Sequence, residues 1–234
     1  MRPIAIFRFS PTEGPGHFAE WLDARGLPWR LIALDRGERV PADPRSFSGI
    51  AAMGGPMSAN DDLPWNAPLQ ELMRAAVATE VPFIGHCLGG QLFAKALGAR
   101  VTQSALPEIG WGKVSVTNPA TASAWFANRP AFTTFQWHYE VFSLPNGATR
   151  VLTNNFNPNQ AYVIGKHIGL QCHIEMTRDM IETWCRGGAA ELAEHSGPAI
   201  QSEAAIMADV DARLAELSRV ADDLYTHWAK GLVR

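Results

Sequence analysis

The residues best able to do chemistry in this sequence are Cys87 and its neighbours, in the run Val81-Pro82-Phe83-Ile84-Gly85-His86-Cys87-Leu88-Gly89-Gly90-Gln91-Leu92. A short apolar strand ends at a small residue, a cysteine follows, and a glycine-rich helix start comes next. That is the strand–turn–helix setting of a nucleophile elbow. Gly85 and Gly89 have no Cβ to clash in so tight a turn. A cysteine at a helix N-terminus meets the positive end of the helix dipole, which favours the thiolate, the reactive form. Most free cysteines are small buried hydrophobes, and only the glycine-rich context argues against that here. The adjacent pairs His86-Cys87 and Cys172-His173 also raise the question of zinc. Neighbouring strand residues point to opposite faces, and the spacing is not that of a C-x₂₋₄-C or H-x₃₋₅-H site. No metal is expected.

The elements that must position Cys87 follow from short Ile-, Val- and Phe-rich runs alternating with helical patterns. Strands are expected at 3–7, 29–33, 48–53 and 81–85, with helices at 17–25 (ended by Gly26), 68–79 and 88–97 (stopped at Gly98). Such alternation indicates a parallel sheet covered on both faces. The second half changes character, with strands at 111–117, 131–136, 150–153, 161–165 and 167–172 and few helices between them. Gly165-Lys166 suggests a tight hairpin, so an antiparallel section should extend the parallel sheet. Residues 202–230 carry Ile206, Val210, Leu214, Leu217, Val220 and Leu224 at helical spacing, which predicts one or two amphipathic helices. The expectation is one domain over 1–234, with a core to about 190 and a helical extension from about 200.

Composition narrows the function classes. A hydrophobic share of 47% with 18% charged residues is ordinary for a soluble globular protein. A formal net charge of −3, with no Lys/Arg cluster, gives no reason to expect nucleic acid. No stretch approaches the ~18 consecutive apolar residues of a membrane span, and the N-terminus lacks a signal-peptide pattern. Three cysteines are too few and odd in number for a disulfide framework. A cytoplasmic protein is expected.

Three segments, in order, resemble those of the class I (triad-type) glutamine amidotransferases, in the form of a stand-alone glutaminase domain like that of GMP synthase. Gly85-His86-Cys87-Leu88-Gly89-Gly90-Gln91 is similar to the family's G-x-C-x-G-x-Q; Met53-Gly54-Gly55-Pro56-Met57 to its G-G-P turn; and Gly169-Leu170-Gln171-Cys172-His173-Ile174-Glu175 to its Q-F-H-P-E stretch. The resemblance covers about residues 3 to 186 and implies a flavodoxin-like open sheet. It implies Cys87 as nucleophile on glutamine or another γ-glutamyl amide, His173 as general base and acid, and Glu175 as its orienter. His173 and Glu175 are two residues apart, so in a strand they would share a face. The oxyanion would be held by the backbone N–H groups of Gly55 and Leu88, while Gln91, Gly54 and His138 would lie on the substrate side. Trp65 and Trp111 read as packing residues. No cofactor is implied, since a thiolate needs none.

The sequence departs from that pattern at Ile174, where proline is usual; at Gly90, where a larger residue is common and whose smallness would widen the pocket; and at His86, which would either tune the thiol or turn away from it. Three functions stay open. One is a glutaminase that passes ammonia to a separate synthetase subunit, since the chain has no P-loop. Another is a stand-alone hydrolase of γ-glutamyl polyamines or peptides, with the C-terminal helices closing the pocket. The last is a catalytically silent regulatory protein of the same fold. The oligomeric state is not legible.

Overall fold

Strand β1 (Ile4–Arg8) alternates Ile4 and Ile6 with Ala5 and Phe7, and all four are fully buried. Successive strand residues point to opposite faces, so a run apolar on both faces belongs inside a sheet covered on both sides. The computed structural model, which describes residues 1–233, has that arrangement. Beside β1 lie β2 (Trp29–Ala33) and β3 (Gly49–Ala52), followed by β4 (Phe83–His86), all parallel. The other strands are β5 (Val101–Val116), β6 (Ala131–Phe142), β7 (Thr149–Thr153), β8 (Ala161–Ile164) and β9 (His167–Leu170). One nine-stranded sheet results, in the order β2-β1-β3-β4-β9-β8-β7-β5-β6. It is parallel through β9 and antiparallel beyond it. The hairpin at Gly165-Lys166 is present, with Ile164 opposite His167 and Gly165 at a φ of 57°.

The helices are α1 (Gly16–Ala24), α2 (Asn66–Ala78), α3 (Leu88–Ala96), a single turn α4 (Pro119–Ala122), α5 (Arg178–Gly187), α6 (Ala189–Glu194), α7 (Glu203–Met207) and α8 (Val210–Ala229). On one face Leu69, Leu72 and Met73 of α2 and Leu92 and Phe93 of α3 pack on Ala5, Phe7 and Phe83. On the other, Phe18 and Leu22 of α1 and Leu224 and Trp228 of α8 pack on Ile4, Ile6 and Ile84. The mixed α/β sheet with helices on both faces is therefore as expected. Of the six apolar positions predicted for the tail, all but Leu214 are buried, and Leu214 packs partly buried against the same core.

Three expectations need correction. Strand β5 begins ten residues before the predicted 111, and β6 runs six past the predicted 136. The polar stretch at the start of β5 hides its strand character, because its register breaks between Gln103 and Glu108, around Pro107. Proline is tolerated within a sheet at such a bulge. Helices α5 and α6 occupy a charged stretch with no element predicted. Among the described residues none of the tail lines the cleft bordered by Cys87: α8 lies on α1 and the sheet, with Trp228 against the bare Cα of Gly49, where a Cβ would fall 2.9 Å from the indole. Removing that fully buried ring should destabilise the protein by about 3–5 kcal/mol. Trp228→Ala is expected to show this as a lowered midpoint in urea unfolding, and a midpoint unchanged within error would mean the tail is not part of the core.

Candidate active site

Strand β4 delivers Cys87 directly into α3, and Cys87 takes the strained geometry the turn demands, with φ 46° and ψ −108°. Positive φ in a residue with a Cβ is uncommon and concentrates at functional sites. The turn is tight because backbone meets backbone: a Cβ on Gly89 would lie 2.3 Å from the Ala52 carbonyl oxygen, and one on Gly85 2.6 Å from Gly89. Cys87 is 6% exposed and borders a cavity of about 450 Å³. Gly90 does not widen that cavity: it faces the sheet, where a Cβ would meet the Leu170 carbonyl oxygen at 2.3 Å.

His173 and Glu175 lie just beyond β9 and do not share a strand: His173 forms an isolated antiparallel bridge with Phe135, and Glu175 follows in a bend. They meet all the same, with His173 Nδ1 2.6 Å from Glu175 Oε1 and both side chains 1% exposed. The bend is pinned on two sides. The His173 N–H donates to the Phe135 carbonyl at 2.8 Å, and the Glu175 carbonyl accepts from the N–H of His17 at the start of α1, 2.9 Å away. Ile174 has a use here that proline could not serve, because its N–H donates to Glu175 Oε2 at 2.9 Å.

Electrostatics bind the group together. Burial alone would depress the His173 pKa, but the Glu175 carboxylate and the Cys87 sulfur act on the ring and hold it well above the ordinary value. Burial would raise Glu175, but the His86 and His173 rings bring it down to about 2. His86 is turned away from the thiol. Its Nε2 is 3.9 Å from Glu175 Oε2 and 3.4 Å from the Tyr225 hydroxyl of α8, and burial lowers its pKa.

Gly54 and Gly55 follow β3. A Cβ on Gly55 would fall 2.6 Å from Leu88 Cδ2, so the two residues proposed to share an oxyanion are adjacent. Among the described residues neither backbone N–H donates a hydrogen bond. Gln91 lines the cavity, its Nε2 donating to the Glu140 carbonyl oxygen at 2.9 Å and lying 3.3 Å from Gln171 Oε1. His138 lines it too, with Nε2 3.1 Å from Gln136 Oε1 and 3.5 Å from the buried Glu108, and burial lowers its pKa to about 3. Trp65 packs tilted against Phe9 and Trp111 edge-on against Phe135, and neither borders this cavity. Cys172 and Cys185 are fully buried, and burial pushes their thiols to about 12 and about 11. Among the described residues no cluster of three or more His, Cys, Asp or Glu is placed to hold a metal ion.

Sequence reasoning missed Glu13, in the loop after β1. A Cβ on Gly54 would lie 2.4 Å from Glu13 Oε2 and 3.0 Å from His173 Cε1, so this carboxylate stands beside the imidazole. Loops at the carboxyl ends of parallel strands are where ligands bind in open α/β sheets, which was the available signal. The Glu13 carboxylate has no hydrogen-bond or ion-pair partner among the described residues. Burial pushes its pKa from 4.5 to about 7, while the His173 charge pulls the other way. The fold therefore prefers the protonated acid: that contribution is whole below the unfolded value near 4.5 and is lost as pH rises through about 7. Glu13→Gln is expected to leave the melting temperature unchanged near pH 4 and to raise it by about 2–4 °C near pH 8, the shift of roughly 1 kcal/mol in a protein of this size. Equal effects at the two pH values would remove this account.

The sequence profile described as glutamine amidotransferase class-I matches residues 25–182. A glutamine amidotransferase-like protein of Salmonella typhimurium is 30% identical over 192 residues, 79% of this chain and 80% of that one. A glutamine-hydrolysing GMP synthase subunit of Sulfurisphaera tokodaii is 32% identical over 155 residues, 64% of this chain and 78% of that one. The solved structure of a glutamine amidotransferase from Methylobacillus flagellatus has a TM-score of 0.98 at 46% identity, covering 100% of this chain and 96% of that one. That likeness includes the C-terminal helices, which the motif resemblance left out.

Proposed function

The chain belongs to the class-I glutamine amidotransferase family, and we propose that it hydrolyses the γ-amide of glutamine or of a related γ-glutamyl compound through Cys87, His173 and Glu175. His173 takes the Cys87 proton, and the sulfur attacks the amide carbon. The oxyanion so formed is held by the N–H groups of Gly55 and Leu88. As the carbon–nitrogen bond breaks, the imidazolium returns its proton to the departing nitrogen. Water, deprotonated by His173, then cleaves the glutamyl thioester to release glutamate and restore the thiol. Gln91 and His138 border the substrate.

The observation that carries this reading is a buried imidazole fixed by a carboxylate at 2.6 Å, whose charge, with a lesser contribution from the sulfur of the cysteine at the strained elbow, holds the ring's pKa well above its ordinary value. Acid-quenching the protein during turnover of glutamine tests it. Mass spectrometry should find a glutamyl adduct on the peptide that contains Cys87. An adduct elsewhere, or glutamate released with no adduct on any cysteine under single-turnover conditions, would count against the thioester.

A second reading concerns the fate of the ammonia. The relative from Sulfurisphaera tokodaii is one subunit of a glutamine-hydrolysing synthase, which favours delivery to a separate ATP-using chain. Glutamate release should then rise when such a chain and its substrates are added, and a rate indifferent to them would favour a free-standing hydrolase.

A further inference from the structure

The cavity beside Cys87 is larger and more acidic than glutamine requires. At about 450 Å³ it lies in the ~300–1,000 Å³ range of sites that enclose drug-sized ligands, and glutamine is much smaller than those. No lysine or arginine lines it, whereas Glu13, Glu140 and Glu191 do. His138 adds no positive charge near neutral pH, since burial keeps it unprotonated, and its buried Nδ1 has no partner among the described residues.

The carboxylates fall on two sides. Glu140 belongs with Gln91: its carboxylate accepts from the Ser58 hydroxyl at 2.9 and 2.8 Å, and its carbonyl accepts from Gln91. Glu13 belongs with His173, and the wall continues from there. The Trp184 ring is 4.9 Å from His173, and its indole N–H donates to the Thr12 carbonyl at 2.9 Å, next to Glu13. The Trp137 ring stands edge-on to Trp184 at 6.1 Å, and its N–H donates to Glu191 at 2.9 Å. His173 gives its proton to the departing nitrogen, so the wall nearest to it faces the leaving group.

We infer that the leaving group is itself a cation: that the preferred substrate is a γ-glutamyl amide of a diamine or polyamine, its distal ammonium held by Glu13 against the indoles of Trp184 and Trp137. The inference rests on the thioester reading above. The amide carbon–nitrogen bond breaks, its nitrogen takes the His173 proton, the amine departs with its distal charge unchanged, and the glutamyl group stays on sulfur until water removes it. Indole faces attract cations through the ring quadrupole. A leaving group that ends in a carboxylate, as in a γ-glutamyl peptide, finds no lysine or arginine on this wall to pair with it.

Two amides of the same shape test the charge alone: γ-glutamyl aminobutylamide and γ-glutamyl pentylamide, whose distal methyl takes the place of the ammonium. The expected kcat/KM ratio is at least about ten in favour of the amine, the scale of a partly desolvated cation meeting a carboxylate and aromatic faces. In Glu13→Gln the ratio should fall to within about three of unity. Should wild-type protein turn over both amides at equal efficiency, the cation inference is overturned and the thioester chemistry stands. Should the preference persist undiminished in Glu13→Gln, the assignment to Glu13 is overturned. Failure on both amides and on glutamine, with no adduct on Cys87, would remove the thioester reading as well.

Discussion

Cys87→Ala should abolish glutamate release, with a loss of at least about 10⁴-fold, the scale seen when a nucleophile that acts in concert with its base is removed. Alanine keeps the Cβ and the backbone demands of the elbow, so the unusual φ of 46° is borne as before. The side chain is 6% exposed and small, and its sulfur accepts from Gln171 Nε2 at a long 3.8 Å. The variant should therefore fold, with a melting temperature within about 2 °C of the parent, the change expected for less than roughly 1 kcal/mol. Neither remaining cysteine can stand in. Both are buried, and burial raises their thiols far above neutrality, which leaves almost no thiolate to attack. A folded alanine variant that retained a tenth of the parent rate would sink the nucleophile assignment.

The reach of the sequence follows from where the physics is local. The parallel half was legible because its inner strands β1, β3 and β4 are buried on both faces and helices α1 and α2 each keep a polar side. The elbow was legible because glycines bracket a cysteine at the junction of a strand and a helix. The start of β5 was not, since its strand pairs across a register break and is exposed for much of its length. Proximity between His173 and Glu175 was foreseen on a premise that fails in detail. A two-residue spacing in a strand would align their side chains, but here a bend does so, held by Phe135 and the start of α1. Glu13 could not be foreseen from its own neighbours, because its place beside His173 depends on contacts between distant segments. The tail was read as amphipathic, but its position over α1, with Tyr225 reaching His86, is a tertiary fact.

Glu175→Gln is the second large effect, and it separates orientation from attack. In the proposed reaction Glu175 Oε1, 2.6 Å from His173 Nδ1, accepts the Nδ1–H and leaves Nε2 to take the Cys87 proton. Glu175 Oε2 meanwhile accepts the Ile174 N–H. Glutamine has a single acceptor oxygen for these two donors, and at 1% exposure no water can serve the other. If the oxygen turns to Ile174, the amide NH₂ faces Nδ1 and forces the tautomer that cannot act as base. If it turns to His173, the Ile174 N–H is orphaned, at a cost of about 1–3 kcal/mol. Either way the carboxylate charge that stabilises the imidazolium is gone. The expected result is a fall in kcat of about 10³–10⁴ with KM little changed, the pattern of an interaction realised in the transition state. The same carboxylate has a folded-state pKa of about 2, below its ordinary 4.5. Its contribution to stability is therefore present above 4.5 and is lost as pH falls toward 2. The melting-temperature gap between parent and Glu175→Gln should be at its full width near pH 7 and should narrow steadily as pH falls below 4.5 toward 2. A kcat within ten-fold of the parent, or a gap that widens in acid, would mean that Glu175 does not orient the base.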